Sequence, residues 1–150
     1  MRIVRAHPVL ACVKKHSKLV LFIDGASRGN PGPASAGIVL QDEKGATVKT
    51  LAKKIGTATN NTAEYMALLF GLQEALALGA QELDIRTDSE LLAKQFSGEY
   101  KIKDEQLKIF AVLIRQLKDY FKAVKVSHVP REQNKLADAE ANRALDFDLF

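Results

Sequence analysis

The chain has 150 residues, 47% of them hydrophobic and 27% charged, with one cysteine and a formal charge of +4. Those values describe a single globular domain with a core that needs no disulfide, and they exclude low-complexity or disulfide-stapled classes. The charge is uneven: residues 1–18 hold Arg2, Arg5, Lys14, Lys15 and Lys18 and no acid, leaving 17 basic and 18 acidic residues beyond them. The body is therefore not a strongly basic nucleic-acid binder, and phosphate affinity would have to come from a local patch, from metal ions or from the basic arm.

Residues 1–18 contain a short apolar piece, Pro8-Val-Leu-Ala-Cys-Val13, too short for a secretory core and without a small-residue cleavage site. They read as an N-terminal extension. A first strand covers residues 19–24 and ends on Asp24. A second covers residues 36–41 and a third residues 47–55, joined by the hairpin turn Asp42-Glu-Lys-Gly45. Met66, Leu69, Phe70 and Leu76 recur near helical spacing, which predicts a helix over residues 62–78, stopped at Gly79. A fourth strand spans residues 83–87, just before Asp88. A short helix over residues 90–96 and a longer one over residues 104–121 follow. The longer one presents Leu107, Phe110, Ala111, Ile114 and Leu117 on one face. The fifth strand spans residues 124–128, and a last helix residues 133–145. The order βββαβααβα implies an α/β fold, a mixed five-stranded sheet with helices on both faces. No apolar run approaches the ~18 residues of a membrane span, and the lone Cys12 suits a reducing, cytoplasmic setting.

Four carboxylates stand out by position. Asp24 and Asp88 each close a hydrophobic strand, Glu64 falls in the first turn of an apolar helix, and Asp138 lies in the last helix. If the two strands are parallel neighbours, both Asp side chains emerge at the carboxyl edge of the sheet, where open α/β sheets carry their sites. Each acid alone has a plainer account. Asp24-Gly25 is a turn dipeptide, Glu64 after Asn61 mimics a capping box, Asp88 can cap the helix that follows, and Asp138 can be a solvated helix charge. Together they would repel one another unless cations neutralise them. Mg²⁺ suits such a set, because it takes a few carboxylates and keeps waters for a phosphate substrate. Two such ions roughly 4 Å apart can serve the attacking water and the leaving oxygen of a phosphodiester.

The blocks Phe22-Ile-Asp-Gly-Ala-Ser-Arg-Gly-Asn-Pro-Gly-Pro33, Thr59-Asn-Asn-Thr-Ala-Glu-Tyr-Met-Ala-Leu68, Arg86-Thr-Asp-Ser89 and His128-Val-Pro-Arg-Glu-Gln-Asn134 leading into Asp138 resemble the type 1 ribonuclease H family. The likeness is greatest to its compact archaeal and bacterial form. It implies a ribonuclease H-like fold over residues 19–145 and a monomeric endonuclease that cuts the RNA strand of an RNA/DNA hybrid. The family uses two Mg²⁺ ions, with Mn²⁺ as a substitute, and leaves 5′-phosphate and 3′-hydroxyl ends. Asp24, Glu64, Asp88 and Asp138 fall on its metal-ligand positions and His128 on its catalytic histidine. Imidazole moves protons near neutral pH, as that role requires. Thr59 matches a position that helps hold a phosphate of the DNA strand. Asn30, Asn60 and Asn61 have the donors and acceptors that reading 2′-hydroxyls needs. They can equally form a turn at Asn30 and cap a helix at Asn60 or Asn61.

Three departures from the family pattern weaken the expected grip on the hybrid. Thr57 stands where the family's phosphate pocket often has arginine. The basic handle helix of some bacterial members is missing between Phe96 and Asp104, leaving Tyr100, Lys101 and Lys103. No separate hybrid-binding domain fits into residues 1–18. Double-stranded RNA is a second candidate substrate. Two rival readings are a DNA-cutting resolvase- or transposase-like relative and a nucleic-acid-binding module without catalysis. The terminal run Asp146-Phe-Asp-Leu-Phe150 has two accounts: folding back onto the domain, or a partial match to peptides that bind the bacterial sliding clamp.

Overall fold

A computed structural model describes residues 16–146. The expectations for the arm upstream of residue 16 and for the tail from residue 147 onward lie outside the described residues. The elements are β1 (Lys18–Ser27), β2 (Gly32–Gln41), β3 (Thr47–Ala58), α1 (Asn60–Ala77), β4 (Glu82–Thr87), α2 (Glu90–Ser97), α3 (Glu105–Lys118), β5 (Ala123–His128) and α4 (Lys135–Asp146), with one 3-10 turn at Arg131–Gln133. The predicted order is the observed one. The sheet runs β3-β2-β1-β4-β5, with β1–β2 and β2–β3 antiparallel and β1–β4 and β4–β5 parallel.

The alternation of β2 shows why helices cover both faces. Ala36, Ile38 and Leu40 join the main core with Leu21, Leu68, Leu72 and Ile85. Ser35 and Gly37 face α4, where Ser35 Oγ donates to the Ala141 carbonyl at 2.5 Å. A methyl group on Gly37 would collide with the Ala137 carbonyl oxygen and the Ala141 amide nitrogen, so only glycine lets α4 lie this close. On the opposite face, Gly71 of α1 sits directly over the Leu21 side chain. The helix α3 packs against α1, burying Leu107, Ala111 and Ile114 along the face predicted from their spacing.

Four local expectations change. β1 runs on to Ser27 rather than ending on Asp24, because Gly25, Ala26 and Ser27 keep pairing with β2. β2 begins at Gly32 rather than residue 36, and β3 runs on to Ala58 rather than ending at residue 55. Both extensions hold by backbone pairing, Gly32 with Ala58 and Pro33 with Thr57, in a stretch with no apolar alternation to announce it. The cap of α1 is Thr59, whose hydroxyl accepts from the Thr62 amide at 3.2 Å, so neither Asn60 nor Asn61 is the cap. No helix among the described residues is long and apolar enough to cross a membrane.

Candidate active site

Parallel pairing brings Lys18 opposite Glu82 and Ile23 opposite Thr87, so the next residues, Asp24 and Asp88, leave adjacent strands at the same edge. Asp88 is not spent on capping: Ser89 caps α2, its hydroxyl accepting from the Leu92 amide at 3.2 Å. Glu64 reaches the same point because the first turn of α1 lies on Gly25. A Cβ there would strike the Ala63–Glu64 backbone, and the Gly25 amide instead donates to the Glu64 carboxylate. Asp24, Glu64 and Asp88 each offer an oxygen within 4.8 Å of the other two. Asp138, in the first turn of α4, approaches Asp24 from the other face and lines the same cleft of about 530 Å³.

This concentration of acid carries an electrostatic cost. Asp24 is 5% exposed and Glu64 8%. Burial, then the neighbouring Glu64 charge, push the Asp24 carboxyl far above the usual carboxylate range. Burial also raises Glu64, opposed by the Gly25 amide and by its contact with Asp24. Glu64 Oε2 is buried with no hydrogen-bond partner. A buried acceptor without a donor, in a nest of hard oxygen atoms, fits a divalent cation better than it fits a purely structural role.

The matching family model, "Reverse transcriptase-like", covers residues 22–144. Ribonuclease HI of Halobacterium salinarum is 45% identical over 125 residues, which are 83% of this chain and 63% of that protein. The crystal structure of RNase H1 from the same organism superposes with a TM-score of 0.84 at 43% identity, covering 86% of this chain and 98% of that one. The chain belongs to the type 1 ribonuclease H family. A further type 1 ribonuclease H, LC11-RNase H1 in complex with an RNA/DNA hybrid, matches with a TM-score of 0.82 at 39% identity, covering 85% of this chain and 96% of that one. The chain spans less than two thirds of the full Halobacterium protein.

The remaining positions that match ribonuclease H blocks are arranged around the acids. Asn60 and Asn61 line the cleft. The Asn30 side chain accepts from the Asn60 amide at 2.9 Å, so it supports the cleft wall. Thr59 holds the helix end. His128 ends β5, opposite Thr87 in register and exposed, beside Glu90 rather than in the wall of the acid cleft.

Several residues escaped the sequence reading. Arg28, Arg131 and Asn142 line the cleft, with Arg131 Nη2 3.9 Å from Asp138 Oδ1, and Arg28 pairs with Asp146 at the end of α4. Asn134 is 1% exposed. Its Nδ2 donates to the Ile23 carbonyl at 2.8 Å, one residue before Asp24. Its backbone carbonyl accepts from the Asp138 amide at 3.1 Å. One residue, by its side chain and its backbone, thus ties the strand bearing Asp24 to the helix bearing Asp138. The available signal was its place four residues before Asp138, one helical turn away.

A second groove of about 540 Å³ begins at Asn61 and continues past Leu91 and Gln95 to Tyr100, Lys101 and Lys103. Tyr100 is 48% exposed, and Lys94 Nζ lies 4.9 Å from its ring centre. The sequence already singled out these residues as all that stands in place of the handle helix.

Proposed function

We propose that this chain is an endoribonuclease that hydrolyses the RNA strand of RNA/DNA hybrids with the help of two Mg²⁺ ions, Mn²⁺ substituting. The observation that carries this reading is the meeting of Asp24, Glu64 and Asp88 oxygens within 4.8 Å in an open cleft walled by Asn60 and Asn61. The hybrid bound to LC11-RNase H1 supports the choice of substrate. Asp24, Glu64, Asp88 and Asp138 would hold the ions. Bound there, the ions would supply Lewis-acid charge for hydrolysis of the scissile phosphodiester.

The chain's own side chains do the rest. Asp24 sits within β1 and Asp88 just past the end of β4, and Asn134 keeps the Asp138 helix in step with them. Asn60 and Asn61 offer amide donors and acceptors to sugar hydroxyls and minor-groove base edges. Asn30 and Thr59 fix the backbone that presents them, and Thr59 stands ready for a phosphate of the DNA strand. His128 carries a proton to or from the reacting oxygens. Tyr100, Lys101 and Lys103 track the backbone of the DNA strand along the second groove. The products are 5′-phosphate and 3′-hydroxyl ends. The activity resides in residues 19–145 of a monomeric cytoplasmic enzyme.

The test is incubation with matched RNA/DNA, RNA/RNA, DNA/DNA and single-stranded substrates, with and without Mg²⁺. Mg²⁺-dependent cleavage of the RNA strand in the hybrid is expected. Cleavage of duplex DNA would favour a resolvase-like enzyme, and binding without cleavage a non-catalytic module. Either outcome overturns the proposal.

A further inference from the structure

The helices on the main-core face of the sheet do not close on one another. α2 leans on β5, whereas α3 packs on α1. The chain leaves α2 at Gly98, in the left-handed region with φ 86°, and reaches α3 through residues 99–104. Of those residues, Ile102 alone lines a cavity of about 190 Å³ that lies between α1, α2 and α3.

The inner wall of this cavity is apolar. Leu68, Leu92, Ala111 and Ile114 line it and are buried, and Phe96 stands half-buried beside them. Its main polar groups are satisfied by the protein. The Tyr65 hydroxyl donates to Gln95 Oε1 at 2.5 Å, and Gln95 Nε2 donates to the Lys101 carbonyl at 3.4 Å. A buried water needs several polar partners, and this wall offers it few.

The mouth carries charge of one sign. Arg115 and Lys118, both exposed and one turn apart on α3, line the cavity, and no acidic residue does so among the described residues. Neither cation belongs to an ion pair among the described residues. Lys118 Nζ lies 5.1 Å from the centre of the Phe96 ring. An apolar interior with two cations at its opening selects an apolar body that ends in an anion. Volume sets the size of that body. An apolar cavity of about 150 Å³ accepts a benzene ring, so about 190 Å³ takes one ring with a short arm. A nucleic-acid phosphate would meet the cations but leave the apolar interior uncovered.

We propose that this cavity binds a small aromatic monocarboxylate, with the ring among Leu68, Leu92 and Ile114 and the carboxylate between Arg115 and Lys118. The ligand braces α2 against α1 on either side of the Tyr65–Gln95 hydrogen bond. Tyr65 directly follows Glu64, and α2 starts two residues after Asp88, so the site lies behind the acid cleft. The two share no lining residue, so binding here is read without metal or nucleic acid.

The test is a titration of full-length protein, ¹³C-labelled at its methyl groups, with phenylacetate in EDTA. Saturable shifts are expected at the methyls of Leu68, Leu92, Ile102 and Ile114, with nuclear Overhauser contacts from them to the ring. Arg115→Gln should weaken phenylacetate ~10-fold, the loss of about one charge-assisted hydrogen bond. Phenylacetamide, of the same shape without the charge, should bind the parent ~10-fold more weakly than phenylacetate. Ala111→Leu fills the cavity and should abolish binding of both compounds, with the melting temperature as the control for folding. Ala111→Val is the smaller filler should the leucine lower that temperature. No saturation by ~10 mM phenylacetate overturns the proposal. So do shifts remote from the cavity, equal affinity for phenylacetate and phenylacetamide, or binding that survives the Ala111 fillers.

Discussion

Replacing Asp24 by asparagine removes the most costly charge in the protein and keeps the side chain's shape. In the absence of divalent cations, burial and the Glu64 charge push the Asp24 carboxyl up from 3.8 to about 10. The folded state therefore retains a proton that the unfolded chain releases, and stability falls as pH rises through the window from about 4 to about 10. Each pH unit inside it costs about 1.4 kcal/mol. The native state thus gives up on the order of 1–2 kcal/mol at pH 5 and several kcal/mol by pH 8 relative to a group that does not titrate. Asp24→Asn carries no such term. Urea unfolding in EDTA should show the variant more stable than the parent, with a gap that widens by several kcal/mol between pH 5 and pH 8. Saturating Mg²⁺ should reverse the order, because only the parent gains cation-binding energy in its folded state. Cleavage by the variant should be nearly abolished. A gap that stays flat from pH 5 to pH 8, or a variant less stable than the parent in EDTA, would refute the electrostatic account of the cleft.

Gly37→Ala should destabilise by at least the ~1–3 kcal/mol of an overpacked core, since the added methyl meets α4 backbone; an unchanged Tm would show that α4 has slack. Asn134→Ala leaves the Ile23 carbonyl without its donor and should cost ~1–3 kcal/mol. It should also weaken Mg²⁺ binding by calorimetry, whereas full-affinity binding would show that Asn134 does not align the Asp24 strand with the Asp138 helix. His128→Ala should slow turnover at saturating substrate by roughly 10²- to 10⁴-fold while leaving Mg²⁺ affinity unchanged; equal turnover would remove His128 from proton transfer.

The acids were legible because their surroundings carry strong periodic signals. Leu19, Leu21 and Ile23 alternate into the core before Asp24, and Leu83 and Ile85 do the same before Asp88. Alternation of that kind fixes where the next side chain emerges, although β1 itself continues past Asp24 to Ser27. Their parallel pairing was a condition that sequence alone left open, since it depends on partners some sixty residues apart. The extra length of β2 and β3 was hidden because Gly32-Pro-Ala and Gly56-Thr-Ala show no alternation, their order coming from the neighbouring strands. Asn134 was hidden for a related reason. Its value lies in a hydrogen bond to Ile23, and a single buried amide has no period. Ile109, Val112 and Leu113, exposed on α3, escaped notice because the stronger core-facing stripe of the same helix accounted for its hydrophobic content.

The topology also sets when the acid cluster can exist. As the chain emerges from the ribosome, Asp24 and Glu64 appear first, on a hairpin sheet and a helix. Asp88 arrives only when β4 inserts beside β1, a long-range closure that folds more slowly than the local β1–β2–β3 meander. Asp138 comes last, on the helix that covers β2. A nascent or truncated chain ending before residue 138 thus lacks one of the four acids of the cleft. Under the proposed function, cation loading would wait for the whole sheet and its second helical layer, and unfinished chains would be inert toward RNA.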